Sequence, residues 1–266
     1  MINSTQVSYF TLAAYFDTGM FKYLYFIVVM CLYISIICAN LLLIVVICRN
    51  RSLHEPMYLF LCSLCVSELY GSTGLFPLLL VQILSDVHTV PAPLCFLQIF
   101  CVHTYGAVEY LNLAVMSYDR YLAICFPLQY NTLMTSDRIA VLIAVTWICP
   151  CFAMVVLLSL SSPLQLCGSV INKVYCDTHS AVKLACSNTD GINIYGLIAT
   201  FGTIFGSLIL ILYTYTRILE ILQSRFNMNN VPNTLRIFLS LYFLTCQPLF
   251  NPVMYGLKFS KILLVE

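Results

Sequence analysis

Six long runs with almost no charged residues dominate this chain and restrict it to a membrane. Each run is at least as long as the roughly 20 apolar residues that an α-helix needs to cross a bilayer. Only 9% of all residues are charged, whereas a soluble domain has about a quarter. We therefore predict an all-α integral membrane helix bundle in which residues 1–266 form a single transmembrane domain. The six predicted spans cover about residues 23–48, 57–85, 94–118, 139–160, 192–216 and 237–257.

Basic residues in the loops predict the orientation of the chain. The N-terminus and the loops after spans two and four contain only Lys22, Lys173 and Lys183. The loops after spans one, three and five contain Arg49, Arg51, Arg120, Arg138, Arg217, Arg225 and Arg236. Because basic loops stay in the cytoplasm, we predict an extracellular N-terminus. A glycosylation sequon at Asn3, followed by Ser and Thr, agrees with that orientation.

The 14 cysteines fall into two groups. Most lie inside the apolar runs, where we interpret them as small buried hydrophobic residues. Four lie in segments predicted to be extracellular: Cys95, Cys167, Cys176 and Cys186. We expect disulfides among these four because the extracellular compartment is oxidising. Four thiols allow three pairings, and their spacing alone does not rank them.

Two acidic residues, Glu68 and Glu109, lie inside predicted spans, where an unpaired charge costs a few kcal/mol or more. We expect both to face the interior of the bundle, with Asn40 and Asn251 as natural polar neighbours. Two functional interpretations compete: a site for a small cation, with Na⁺ as the candidate, or a transport pathway. A neutral, hydrogen-bonded pair with only structural value is the third interpretation.

Other classes of function have little support in the sequence. A net charge of +1 argues against a nucleic acid partner. The four histidines lack the spacing of a metal site, and nucleophile motifs are absent, so we expect neither an enzyme nor a metal centre. No cofactor is expected apart from the candidate Na⁺. A six-span transporter or channel that uses Glu68 and Glu109 is an alternative, although the chain shows no internal repeat.

One stretch, residues 116–130, resembles the third-span signature of rhodopsin-like receptors, and more narrowly the olfactory receptor form. Its sequence is Met-Ser-Tyr-Asp-Arg-Tyr-Leu-Ala-Ile-Cys-Phe-Pro-Leu-Gln-Tyr. Residues 68–77 look like the fish odorant receptor version of span two. The other matching segments are Ala39-Asn40, Pro56-Met57-Tyr58, Trp147, Tyr175-Cys176-Asp177, residues 214–219 and Asn251-Pro252-Val253-Met254-Tyr255. Each match is weak alone, and together they are highly specific.

The resemblance implies a seven-span receptor in the plasma membrane that binds a small odorant and signals through a heterotrimeric G protein. It implies two disulfides, Cys95–Cys176 and Cys167–Cys186. It also implies a central polar network, formed by Asn40, Glu68, Asn251 and the nearby Glu109.

An activation switch at the cytoplasmic ends of the spans is implied as well. In the family pattern, Asp119 would hold Arg120 at rest and release it towards the G protein on activation. Arg120 would then meet Tyr215 and Tyr255. The full set of switch residues is Asp119, Arg120, Tyr121, Tyr215, Asn251, Pro252 and Tyr255.

The odorant would lie between spans three, five and six, near His103, Gly106 and Ala107. Val102 occupies the position where amine receptors of this superfamily carry an Asp. The resemblance therefore implies a neutral, apolar or weakly polar ligand rather than a biogenic amine. A packing or hydrogen-bonding role for His103 is the alternative to ligand contact.

The chain departs from the family pattern after span five. Residues 217–236 contain four charges and a proline, so they do not form a membrane-spanning helix. The family has its third cytoplasmic loop and sixth span here, whereas residues 223–232 resemble the exterior loop before the seventh span. We infer a deletion, through a gene-model error, exon loss or a degenerate gene.

The deletion has a physical consequence for the last span. Strict alternation would invert it and place Lys258 and Lys261 outside. The family orientation would instead draw polar backbone across a hydrocarbon core of about 30 Å, with its amides unsatisfied. If the deletion is real, we therefore expect no odorant response and retention in the endoplasmic reticulum.

Overall fold

The computed structural model describes residues 8–15 and 19–226. The predicted sixth span at about residues 237–257, the sequon at Asn3 and the switch residues Asn251, Pro252 and Tyr255 all lie outside this part of the chain.

Five long helices contain the first five predicted spans. They are α1 (Phe21–Arg49), α2 (Pro56–Leu84), α3 (Ala92–Cys125), α5 (Ser136–Ser161) and α7 (Asp190–Phe226). All five are long and apolar enough to cross a membrane. Apolar runs of this length form helices in a membrane because a helix satisfies every backbone hydrogen bond within its own segment, and hydrocarbon offers no other partner.

Shorter elements occupy the loops. They are β1 (Tyr9–Leu12), a 3₁₀ turn (Arg51–Leu53), β2 (Thr89–Pro91), α4 (Tyr130–Leu133), β3 (Val170–Ile171) and α6 (Thr178–Lys183). Thr135 ends the loop before α5, and its hydroxyl accepts a hydrogen bond from the backbone of Arg138 at 3.4 Å. This contact satisfies one of the free amides at a helix start.

The last described helix is longer than the predicted fifth span. The prediction ended span five near residue 216, and α7 continues to Phe226. Residues 217–221, Arg-Ile-Leu-Glu-Ile, are mostly good helix formers. An ion pair between Arg217 Nη1 and Glu220 Oε2, 3.0 Å apart and one turn apart on the helix, adds modest support.

The chain forms two compact units, and the long helices contribute to both. The first comprises Met1–Cys38, Ser67–Val108 and Trp147–Gly202. The second comprises Ala39–Val66, Glu109–Thr146 and Thr203–Glu266. The single transmembrane domain inferred from the sequence stays a prediction.

A three-stranded sheet, which the sequence analysis did not predict, belongs to the first unit. β1 is the central strand, with β2 antiparallel on one side and β3 parallel on the other. Alternate side chains of β1 enter the core, since Phe10 is 0% and Leu12 is 1% exposed. The sheet joins the N-terminal segment to the loops after spans two and four, the segments that the basic-residue pattern places outside.

In the second unit the core lies between the inner ends of α1, α2, α3 and α5. Its fully buried members include Ile47, Phe60, Leu61, Met116 and Ile139. Many apolar side chains of α1, such as Leu42 and Ile27, are exposed instead. In a membrane helix such side chains can face lipid at no cost, because lipid tails are as apolar as Leu.

Helices α2 and α3 approach closely in the first unit because two positions of α2 are glycine. A Cβ atom added at Gly71 would overlap the ring of Tyr105. A Cβ added at Gly74 would lie 2.5 Å from Cβ of Cys101, well inside normal contact distance. Small residues at such positions let membrane helices pack backbone against side chain.

Candidate functional site

Two disulfides fix the long loop between α5 and α7 in the first unit. Cys95 at the start of α3 is bonded to Cys176, with Cα atoms 5.4 Å apart, and Cys167 is bonded to Cys186 at 5.3 Å. This is the pairing that the resemblance implied. Gln98, one turn after Cys95 on α3, accepts a hydrogen bond from the backbone N–H of Cys176 at 2.9 Å. The loop is thereby tied to α3 at two points.

His103 on α3 connects this loop to the predicted odorant position. Its Nδ1 lies 3.0 Å from the carbonyl oxygen of Ile99, and its Nε2 lies 3.4 Å from Oγ1 of Thr178, the first residue of α6. A carbonyl only accepts, so Nδ1 donates the proton to Ile99. In the neutral ring Nε2 then accepts from the Thr178 hydroxyl. The hydrogen-bonding role left open in the sequence analysis is therefore present.

The next turn of α3 leaves space. A Cβ atom added at Gly106 would meet no atom within 4 Å, and Val102 and Ala107 are half-buried. These small, apolar positions lie near the imidazole of His103 and the hydroxyl of Thr178. Chemically, the arrangement suits an uncharged group that accepts or donates one hydrogen bond.

The charged residue nearest to this point in the loop already has a partner. Asp177, between Cys176 and Thr178, accepts a hydrogen bond from Lys173 Nζ at 2.9 Å. Burial alone would raise the pKa of Asp177, but Ser180 and the ammonium of Lys173 lower that pKa below its ordinary value. The carboxylate is therefore charged and compensated at neutral pH.

Glu68, an intramembrane carboxylate on α2, has a partner that the sequence analysis missed. The hydroxyl of Tyr105 on α3 donates to Glu68 Oε2 at 3.1 Å. Asn40 is buried on α1 and Glu109 is half-buried on α3, both in the second unit, whereas Glu68 lies in the first. The central polar network stays a prediction. No group of three potential metal ligands occurs within residues 8–15 and 19–226.

A buried polar pair on α2 and α3 was also missed. In the second unit, the hydroxyl of Ser63 donates to the side-chain oxygen of Asn112 at 3.1 Å. Asn112 is almost fully buried. An asparagine inside an apolar run was the only sequence signal that could have identified this pair.

Asp119 at the cytoplasmic end of α3 is held by the loop that follows. It is 2% exposed, and its Oδ1 accepts a hydrogen bond from the hydroxyl of Tyr130 on α4 at 2.7 Å. Burial, and then the bond to Asp119, raise the pKa of Tyr130, while the nearby charge of Arg120 acts in the opposite sense. Tyr130 closes the 116–130 motif, but its role was not predicted.

The structure also describes Tyr121 and Tyr215, two further residues of the predicted activation switch. The ring of Tyr121 packs edge-on against Phe126, with centroids 5.7 Å apart, and lies 6.4 Å from the ring of Tyr213 on α7. Tyr215 is half-buried on the same helix. The exchange of Arg120 between Asp119 and a tyrosine stays a prediction.

Comparison with known proteins decides which family carries this arrangement. The model of the rhodopsin family of 7 transmembrane receptors matches residues 39–254. Olfactory receptor 6E1 from Mus musculus is 32% identical over 220 residues, which cover 82% of this chain and 70% of that receptor. This chain belongs to the olfactory receptors of the rhodopsin family.

Two human relatives agree with the assignment. Olfactory receptor 6F1 from Homo sapiens is 35% identical over 172 residues, covering 64% of this chain and 56% of the relative. Olfactory receptor 10H4 from Homo sapiens is 39% identical over 165 residues, covering 61% and 52%. The chain thus spans little more than half the length of these two receptors.

The family settles several predictions made from the sequence. The helical membrane fold is confirmed, and this olfactory receptor is a multi-pass plasma membrane protein and not an enzyme. The six-span transporter gains no support from the matches. The fish-like form of residues 68–77 stays a prediction.

Proposed function

We propose that this olfactory receptor binds a small, uncharged odorant beside His103 and passes the signal to a heterotrimeric G protein at the cytoplasmic end of α3. The observation that carries the odorant part is the contact between His103 and Thr178. It places a loop that is tied by the Cys95–Cys176 disulfide against the turn of α3 that contains Gly106.

The chemistry of that turn supports an uncharged ligand. The Nδ1–H of His103 is used by Ile99, so the imidazole offers Nε2 as an acceptor, and Thr178 offers a hydroxyl. An alcohol can replace either partner in this weak 3.4 Å contact. An aldehyde or ester only accepts, so it can replace Nε2 as the acceptor of the Thr178 hydroxyl. Because Lys173 already compensates Asp177, the loop has no need for a cationic ligand at that position.

The contact between Asp119 and Tyr130 supports the G protein part. A buried carboxylate that loses its partner is strongly destabilising. Tyr130 donates to Asp119 independently of Arg120, so Arg120 can leave Asp119 without stranding the charge. The switch therefore costs less free energy than it would with Arg120 as the only partner.

Signalling also needs the segment that is missing after Leu219. Movement of a helix against its neighbours is how such a receptor changes state, and the family places that helix between the inner end of span five and the last span. A Na⁺ ion at Glu68 is a further proposal. Glu68 already accepts a bond from Tyr105, which leaves carboxylate oxygens able to bind a hard cation.

The test compares the chain as written with a version restored between Leu219 and Gln223 by the third loop and sixth span of Olfactory receptor 6E1. Both are stimulated with uncharged alcohols, aldehydes and esters, and G protein nucleotide exchange is measured. We expect a response from the restored receptor only. In the restored receptor, His103→Ala raises the half-maximal concentration of an alcohol odorant about tenfold, which is the effect of losing one hydrogen bond.

His179→Ala is the matched control, because His179 is an exposed histidine next to Thr178. We expect it to leave the odorant response unchanged. Equal effects of the two substitutions, or no response from a restored receptor that reaches the cell surface, would contradict the proposal.

A further inference from the structure

The N-terminal strand β1 holds two separate loops together. In the sheet order β2-β1-β3 it lies between the loop after α2 and the loop after α5. Its backbone contacts reach both sides, since Leu12 N donates to the His88 carbonyl at 2.8 Å and Ala13 N donates to the Ile171 carbonyl at 2.8 Å. If β1 were absent, both β2 and β3 would lose their strand partner.

The inward side chains of β1 lie over the disulfide and the outer end of α3. Phe10 and Leu12 belong to one buried cluster with Cys95 and Cys176. The ring of Phe10 packs edge-on against Phe96 of α3, with centroids 6.2 Å apart. Burial of these apolar side chains is strongly favourable, and it holds β1 against the outer end of α3.

A second contact secures the end of the strand. The ring of Tyr15 stacks on His88 at 4.6 Å, and its hydroxyl donates to the Val174 carbonyl at 2.9 Å. Burial raises the pKa of Tyr15 to about 12, so this hydroxyl stays protonated and able to donate at any physiological pH.

The strand β1 is connected to the proposed odorant position through α3 and through the loop after β3. Phe96 precedes His103 by seven residues, which is two helical turns, and the two therefore share a face of α3. The loop that starts at β3 continues through Cys176 to Thr178, the residue that contacts His103. β1 and the proposed odorant site thus both lie in the first unit, where α3 and the loop between β3 and α6 connect them.

We propose that β1 is a strap that closes the odorant site on the extracellular side and must open before a water-borne ligand enters or leaves. The proposal rests on the proposed odorant site. A four-residue strand with two short partners is a small cooperative unit, and such units open locally at far lower free energy than the whole fold. Opening of the strap would then set the rate of exchange.

The test needs no odorant. Gly106→Cys introduces a thiol where a Cβ has room, in the full chain reconstituted in lipid nanodiscs. A trimethylammonium methanethiosulfonate reagent, which does not cross membranes, labels it, and mass spectrometry of the peptide with residue 106 gives the rate. The chain with Gly106 retained supplies the background.

A second disulfide locks the strap. Thr11 and Thr89 are register partners with outward, exposed side chains. Backbone hydrogen bonds between β1 and β2 are made at the neighbouring positions, from Leu12 N to the His88 carbonyl and from Ala92 N to the Ser8 carbonyl. Thr11 and Thr89 therefore form a non-hydrogen-bonded pair, the kind in which the two side chains are closest. With Thr11→Cys and Thr89→Cys together, we expect labelling at residue 106 to slow at least about tenfold. We expect the rate to recover when the new disulfide is mildly reduced and the reductant is removed before the labelling reagent is added. Each single cysteine variant, given the same reductant, is the control.

Weakening the strap gives the opposite result. Phe10→Ala removes the packing on Phe96 and is expected to speed labelling, whereas Tyr9→Ala, on the exposed side of the same strand, leaves the rate unchanged. Equal labelling rates in the locked and unlocked chains overturn the strap. An absence of labelling in both chains overturns the odorant site as well, so the two failures are distinguishable.

Discussion

Replacing Cys176 by serine is expected to lower the melting temperature of the purified chain by about 10 °C, because the Cys95–Cys176 disulfide closes a long segment. The two cysteines are 81 residues apart in sequence. Chain entropy for a loop of that length corresponds to about 4.5 kcal/mol. In a chain of this size each kcal/mol shifts the melting temperature by roughly 2–4 °C. The measurement is a thermal-shift assay in detergent.

Two other cysteine variants calibrate that result. Cys186→Ser opens a segment of only 19 residues, corresponding to about 3 kcal/mol, so it should have a smaller effect. Cys149→Ser alters an exposed free thiol on α5 and should have almost none. The expected order of destabilisation is Cys176, Cys186 and Cys149. A melting temperature for Cys176→Ser equal to that of Cys149→Ser would contradict the account.

Gly71→Ala is expected to have the second large effect. The added methyl group would overlap the ring of Tyr105, so that either the helices separate or the ring moves. Movement of the ring would also break the hydrogen bond from Tyr105 to Glu68. Overpacking typically costs about 1–3 kcal/mol, and loss of a bond to a carboxylate adds about 1.5–3 kcal/mol. The same thermal-shift assay should show a loss of about 10 °C.

The chain supplies its own control for this prediction. Gly106→Ala makes the same chemical change on a membrane helix, at a position where the new Cβ meets nothing within 4 Å. It should leave the melting temperature within about 2 °C, since a substitution that meets no neighbouring atom is usually worth under 0.5 kcal/mol. Adding Tyr105→Ala to Gly71→Ala should cost less than the sum of the single effects, because the clash is removed. Full additivity would show that the two residues do not meet.

The sequence predicts the long helices well because lipid leaves the backbone few options. An uncharged run of 20 or more residues in hydrocarbon must be helical, and α1, α2, α3, α5 and α7 contain the predicted runs. The end of α7 was predicted less well. Charged residues end a membrane span but not a helix, and Arg217 and Glu220 favour its continuation.

Contacts between segments that are far apart in the chain could not be predicted from the sequence. The strand β1 has four residues, and its partners lie about 80 and 160 positions away, so no local pattern marks it. The partners of Glu68 and Asp119 are tyrosines 37 and 11 residues away. Spacing left the disulfide pairing open, and only the family resemblance selected the pairing found. In each case packing, rather than local propensity, determines the contact.

Sequencing the full-length transcript across the codons for Leu219 to Gln223 is the most direct test of the proposed receptor function, because it shows whether the inferred deletion is present in the transcript. A chain that reads straight through must invert its last span or draw polar backbone through hydrocarbon. We therefore expect several tens of extra codons that encode a basic loop and an apolar span. A transcript that reads directly from Leu219 to Gln223 as written would overturn the proposed G protein signalling, because the receptor would then lack its moving part.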